Sequence, residues 1–206
     1  MRMLVLGAGA VGGYFGGRLA EAGGDVTFLV RPGRAALLSE SGLAVASPLG
    51  DFRIPVQTTT VDQLSGTYDV VLLTAKHYGL DEAIEAIRPA VGEQTSVLPL
   101  LNGLVHLHRL DAAFGSERVL GGVAYVGAAL LPDGSIRHHN RFSALAFGDR
   151  SGSSGPRLPA RADRSGVQGY PDHRYGEREH SPRYVGKVCD ADDDGRHELP
   201  NARRYR

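Results

Sequence analysis

The chain has 206 residues, a hydrophobic share of 42%, and 23 basic residues against 23 acidic ones, for a formal net charge of zero. That is enough for one large domain, or for a domain with an attached segment, and the balanced charge argues against broad electrostatic capture of nucleic acid or of an anionic membrane. Cys189 is the only cysteine, which excludes an intrachain disulfide and fits a reducing, cytoplasmic setting. The apolar opening run is too short for a signal peptide, and no stretch approaches the roughly 18 apolar residues of a membrane span. The expectation is a soluble protein that acts on a small molecule.

Taken in chain order, residues 3–6 read as a buried strand and 10–22 as a helix closed by Gly23-Gly24; 25–30 form the second strand. A short helix is expected over 34–41, then a strand-turn-strand excursion over 43–55 around Pro48-Leu49-Gly50-Asp51. The Val-Val-Leu-Leu run within 69–74 is a strand buried on both faces. Leu80, Ala83, Ile84 and Ile87 recur at helical spacing within 80–90, and 96–101 is again apolar and extended. A helix over 104–114 and a strand over 119–129 follow. Pro132-Asp133-Gly134 then turns the chain between two extended segments, the second over 143–147. This alternation of strands and helices is the pattern of an α/β fold, a Rossmann-type, doubly wound, mainly parallel sheet over residues 1–150.

The chemistry starts at Gly7-Ala8-Gly9-Ala10-Val11-Gly12, a G-x-G-x-x-G turn placed where its mechanism requires, directly after a buried strand and opening a helix. Gly7 permits the tight turn, Gly9 the approach of the backbone to a pyrophosphate, and Gly12 the close packing of helix on strand. The free N–H groups and the dipole of the helix start would hold the phosphates. Gly13, Gly16 and Gly17 continue the small face, where packing is the simpler explanation. An NAD-binding version would carry an acid at the end of the second strand, to bond the ribose 2′-hydroxyl. Here Arg31 stands there, with Arg34 close by, and a guanidinium suits the 2′-phosphate of NADP. Lys76 and Asn102 fall at the carboxyl ends of two further strands, the edge where open α/β sheets bind ligands.

Together, the opening Gly7-Ala8-Gly9-Ala10-Val11-Gly12-Gly13-Tyr14-Phe15-Gly16, Thr74-Ala75-Lys76 after a strand, Leu101-Asn102-Gly103-Leu104, and Pro132-Asp133-Gly134 resemble the ketopantoate reductase (2-dehydropantoate 2-reductase) family over about residues 1–150. The resemblance implies that Gly7, Ala8, Gly9, Ala10, Val11 and Gly12 bind NADP(H), that Lys76 and Asn102 line the cleft, and that Asn102 lies near both nicotinamide and substrate. It also implies hydride transfer to a small 2-keto acid. Leu101 stands where the family commonly has glutamine. The general acid of such enzymes is a lysine of a second, all-helical domain, and no residue of this chain is identified in that role. Without it the rate would fall by roughly 10²–10⁴.

Residues 151–206 carry few Leu, Ile, Val or Phe and many Arg, Asp, Gly, Pro and His, a composition too poor in apolar surface to offset chain entropy, so disorder is expected. Read one nucleotide further on, one permitted codon choice for 188–206 encodes an apolar, helix-like run resembling the start of the family's second domain. That suggests a frame shift after about Pro159, and Lys187 is then not the catalytic lysine. His173, His180, His197 and Cys189 match no standard zinc spacing, and no metal is expected. His138-His139 read most simply as surface loop residues. Three functions remain open: first an NADPH-dependent 2-keto-acid reductase by ancestry, active or inactive as this chain; then a non-catalytic NADP-binding module or truncated gene product; and a different reductase that is complete by itself or with a partner subunit. A sheet flank left bare by the missing domain would favour self-association.

Overall fold

A computed structural model describes residues 1–74 and 79–150, with the backbone of Val167–Gly169 and Val185–Val188. Five parallel strands form the central sheet in the order β5-β2-β1-β6-β7: β1 (Arg2–Leu6), β2 (Asp25–Leu29), β5 (Gln57–Thr59), β6 (Val70–Leu73) and β7 (Ser96–Pro99). The register sets Leu4 beside Thr27 and Val71. Side chains alternate across the sheet, so β1 sends Val5 into one core with Phe28, Leu72 and Leu98, and Leu4 into another with Leu29, Val71 and Val97. The second core is closed by α3 (Leu80–Ile87) and α4 (Val105–Phe114), whose Ala83, Ile84, Ile87, Leu110 and Phe114 are buried. This is the Rossmann-type, parallel α/β architecture expected from the sequence.

The first core lies under α1 (Ala10–Glu21) and α2 (Pro32–Ser41), and α1 is covered in turn by a second, four-stranded sheet of order β4-β3-β10-β9. That sheet comprises β3 (Leu43–Ala46), β4 (Phe52–Ile54), β9 (Ala128–Leu130) and β10 (Ile136–His138). The glycines of α1 explain how one helix fits between two sheets. A Cβ on Gly16 would press on the Phe28 ring, at 2.8 Å, and one on Gly17 would meet Leu43 and Phe52 at 2.9 Å. These glycines serve packing, as the sequence suggested.

Four segments depart from the sequence reading. The strand expected over 119–129 is broken: Val119 bridges Val97 at the margin of the central sheet, β8 (Gly121–Tyr125) pairs antiparallel with β11 (Ala144–Gly148), and β9 joins the second sheet. Gln57–Thr59, polar and without an apolar alternation, is nonetheless a strand, because edge pairing with β2 asks only for backbone partners. His138 is buried, not a surface loop residue: alternation along β10 turns Ile136 and His138 inward and leaves Arg137 outside. Its Nδ1 lies 2.9 Å from the Ser47 hydroxyl, its ring packs on Tyr14, and the Tyr14 hydroxyl donates to Ser143 at 3.0 Å. In the tail, the backbone of β12 (Val167–Gly169) pairs with β13 (Val185–Val188), which runs antiparallel to β11; the sequence reading placed no strand there. The rest of 151–206, including its histidines and Cys189, lies outside the described residues.

Candidate functional site

The parallel strands all end on one edge of the central sheet, and the residues singled out from the sequence follow those ends. Gly7 succeeds β1, Arg31 lies just beyond β2, Thr74 succeeds β6, and Asn102 follows β7. Lys76 lies outside the described residues.

The turn over residues 7–12 is shaped by what glycine lacks. Gly7 has φ +94°, a left-handed conformation that strains any residue with a Cβ, and its N–H donates to the Leu29 carbonyl at 2.9 Å, tying the turn to β2. At Gly12 a Cβ would collide with the Gly7 carbonyl oxygen and the Thr74 hydroxyl. At Gly9, by contrast, a Cβ would meet nothing within 4 Å, so the backbone there faces open space. Gly9 is also the N-cap of α1. It supplies no side-chain cap, the first turn holds no acid, and the first bond from outside the helix runs from Gly13 N–H to the Gly9 carbonyl at 2.8 Å. Helix geometry leaves the N–H groups of the first turn without intrahelical acceptors. An open backbone approach, uncapped donors and the positive end of a helix dipole are what a bound diphosphate needs, so the residues present fit a dinucleotide.

Two side chains that the motif does not contain hold this turn in place. Thr74 donates from its hydroxyl to the Leu6 carbonyl at 2.7 Å, joining the ends of β1 and β6 beneath the turn. Arg34 donates from one guanidinium nitrogen to the Ala8 carbonyl at 2.9 Å and from the other to the Gly134 carbonyl at 2.8 Å. Burial pushes the Arg34 guanidinium below its usual range. Sequence alone grouped Arg34 with Arg31; a carbonyl acceptor contributed by residue 8 or 134 leaves no mark in a residue pattern.

Arg31 itself is exposed at the N-cap of α2, with no ion-pair partner among the described residues. Asn102 is exposed in a bend, followed by Gly103 at φ +83° and by Leu104 and Val105, 73% and 67% exposed. A shallow depression of about 410 Å³ between the end of α2 and β4, lined in part by Glu40, Arg53 and Pro55, lies away from this edge. We assign no chemistry to it, because open α/β sheets bind ligands at the carboxyl ends of their strands.

Residues 3–152 match the ketopantoate reductase PanE/ApbA family. An uncharacterized oxidoreductase of Bacillus subtilis, YkpB, is 40% identical over 160 residues, which is 78% of this chain and 52% of the relative. The 2-dehydropantoate 2-reductase of Aquifex aeolicus is 29% identical over 153 residues, 74% of this chain and 48% of the relative. Among solved structures, the 2-dehydropantoate 2-reductase of Geobacter metallireducens superposes with a TM-score of 0.70 at 34% identity, over 76% of this chain and 52% of that one. The chain spans about half the length of the relatives it matches.

Proposed function

The chain belongs to the ketopantoate reductase family of oxidoreductases, and from that premise we propose that residues 1–150 bind NADP(H) as the cofactor half of a 2-keto-acid reductase of the 2-dehydropantoate-to-pantoate type. The observation that carries this reading is the turn over residues 7–12, with its open backbone at Gly9 and its uncapped helix start. The backbone N–H groups of the turn receive the diphosphate, and Arg31, exposed at the end of β2, receives the 2′-phosphate in charge-assisted hydrogen bonds. Asn102, on the same edge, offers a donor and an acceptor to the carboxamide or the keto acid. A bound nicotinamide supplies the hydride that reduces the ketone. Both lysines of the chain, Lys76 and Lys187, have side chains outside the described set, and the proton donor is not assigned.

The test is to mix the purified chain with NADPH and 2-dehydropantoate, then with a panel of other 2-keto acids, and to follow the loss of reduced nicotinamide. Turnover supports a complete reductase. Binding of NADPH with no turnover supports a second reading, a dinucleotide-binding module without catalysis, for which the same turn over residues 7–12 would serve. Absence of NADPH binding would overturn both.

A further inference from the structure

Arg34 stands out as a cation without an anion. It is partly buried, no carboxylate among the described residues pairs with it, and its Nε is buried without a hydrogen-bond partner. Its two remaining nitrogens are used on main-chain carbonyls, one in the phosphate-binding turn and one 100 residues further along the chain, in the turn between β9 and β10. A guanidinium is suited to this, since its planar fork carries donors in fixed directions and stays charged when desolvated.

We propose that Arg34 is a positioning residue for the dinucleotide: it locks the Ala8 carbonyl, and with it the turn over residues 7–12, to the Pro132-Asp133-Gly134 turn of the second sheet. The physical reason lies in the polarity of the turn. An anion is held by backbone N–H groups, so each carbonyl of the turn must direct its negative end elsewhere and find a donor there. Ala8 is 4% exposed, and the donor its carbonyl finds is Arg34. The guanidinium thus fixes the turn and adds a positive charge beside the place where the diphosphate binds. Burial of that charge is costly while no anion is near, and a bound diphosphate relieves the cost.

The far end of the clamp is built to the same tolerance. Gly134 has φ +83°, and a Cβ there would lie 2.6 Å from the Arg34 guanidinium and collide with Leu37. A side chain at 134 would therefore push Arg34 off its acceptors. Asp133 holds the turn from within, accepting from the Ser135 hydroxyl at 2.7 Å and from the Ser135 N–H at 2.9 Å. The second sheet, which has no place in the motif, acts as a buttress of the cofactor turn.

This inference rests on the dinucleotide reading given above, so its test has one arm with ligand and one without. With ligand, Arg34→Met and Gly134→Ala are each expected to weaken NADP+ and NAD+ by the same factor, about tenfold or more for the loss of a charged hydrogen bond. The double variant should be no worse than Arg34→Met alone, since both changes break one clamp. Arg34→Lys, which keeps the charge but cannot span two carbonyls, should recover part of the loss and serves where Arg34→Met does not fold. Without ligand, Arg34→Met should speed amide hydrogen exchange in residues 7–12 while leaving exchange in β6 and β7 unchanged. Unaltered affinity for both dinucleotides, or a loss confined to NADP+, would overturn the proposal; the second result would make Arg34 a 2′-phosphate ligand. If the unmodified chain binds neither dinucleotide, the functional reading fails on its own, and unchanged exchange in residues 7–12 would still overturn the clamp.

Discussion

The turn over residues 7–12 and the bend at Asn102 sit on the same edge of one sheet, yet they are built differently. The turn is held from three sides: by the Gly7 N–H on Leu29, by Thr74 on the Leu6 carbonyl, and by Arg34 on the Ala8 carbonyl. The bend has exposed Asn102, Gly103, Leu104 and Val105, with His106 the first buried residue after them. One part of the edge is fixed by its own chain, and the other is a half-formed shelf. The difference teaches that the two parts of the edge are built separately: the backbone of the turn is fixed by bonds with β2, the end of β6 and α2, while the bend at Asn102 leaves its polar and apolar side chains exposed.

The sharpest way to break that comparison is Gly12→Val. A Cβ at 12 collides with the Gly7 carbonyl and the Thr74 hydroxyl, so the variant should lose detectable dinucleotide binding and about 1–3 kcal/mol of stability from overpacking, read by calorimetric titration and urea unfolding. Next in size is Arg31→Ala. Loss of a charge-assisted contact should cost NADP+ about 1.5–3 kcal/mol and leave NAD+ unaffected; equal loss for both would move the 2′-phosphate site elsewhere.

Tyr14→Phe sharpens the contrast from the protein interior. It removes the buried hydrogen bond to Ser143 and should lower stability by about 1–3 kcal/mol, because the Ser143 hydroxyl, 3% exposed, loses its partner. Dinucleotide affinity should not change. Asn102→Ala removes the amide proposed to meet the carboxamide or the keto acid and is expected to weaken the dinucleotide by about 0.5–1.5 kcal/mol, the range of one neutral hydrogen bond; an unchanged dinucleotide affinity would assign Asn102 to the keto acid alone.

The smallest effect concerns pH. Hydrogen bonds from Ser135, the side chain first and the backbone second, hold the Asp133 carboxyl below the usual carboxylate range. Its folded-state value is thus lower than its unfolded one, so its support of the β9–β10 turn is complete above the unfolded value and is lost as pH falls through the folded value. Chemical-shift titration of the Ser135 amide should show the midpoint on the acid side of an ordinary aspartate. A midpoint above that range would contradict the assignment.

Much of this was legible in the sequence. The central strand β6 is a continuous apolar run and β1 nearly so, and the glycine spacing could be judged by its place between a strand and a helix. The residues read less well share a physical cause. Gln57–Thr59 is a strand through its neighbour's backbone, the segment over 119–129 divides because Val126-Gly127 carries it from one sheet to another, and His138 is buried among polar partners distant in the chain. Arg34 belongs with these. Its type suggested a phosphate, while its acceptors are carbonyls, which every residue possesses.

The measurement that bears most directly on this account is calorimetric titration of the unmodified chain with NADPH and with NADH. A saturable one-to-one isotherm, tighter for NADPH, is the predicted result and would establish an NADP(H) site on this chain. Absence of heat with either nucleotide, confirmed by an unshifted melting curve, would contradict it.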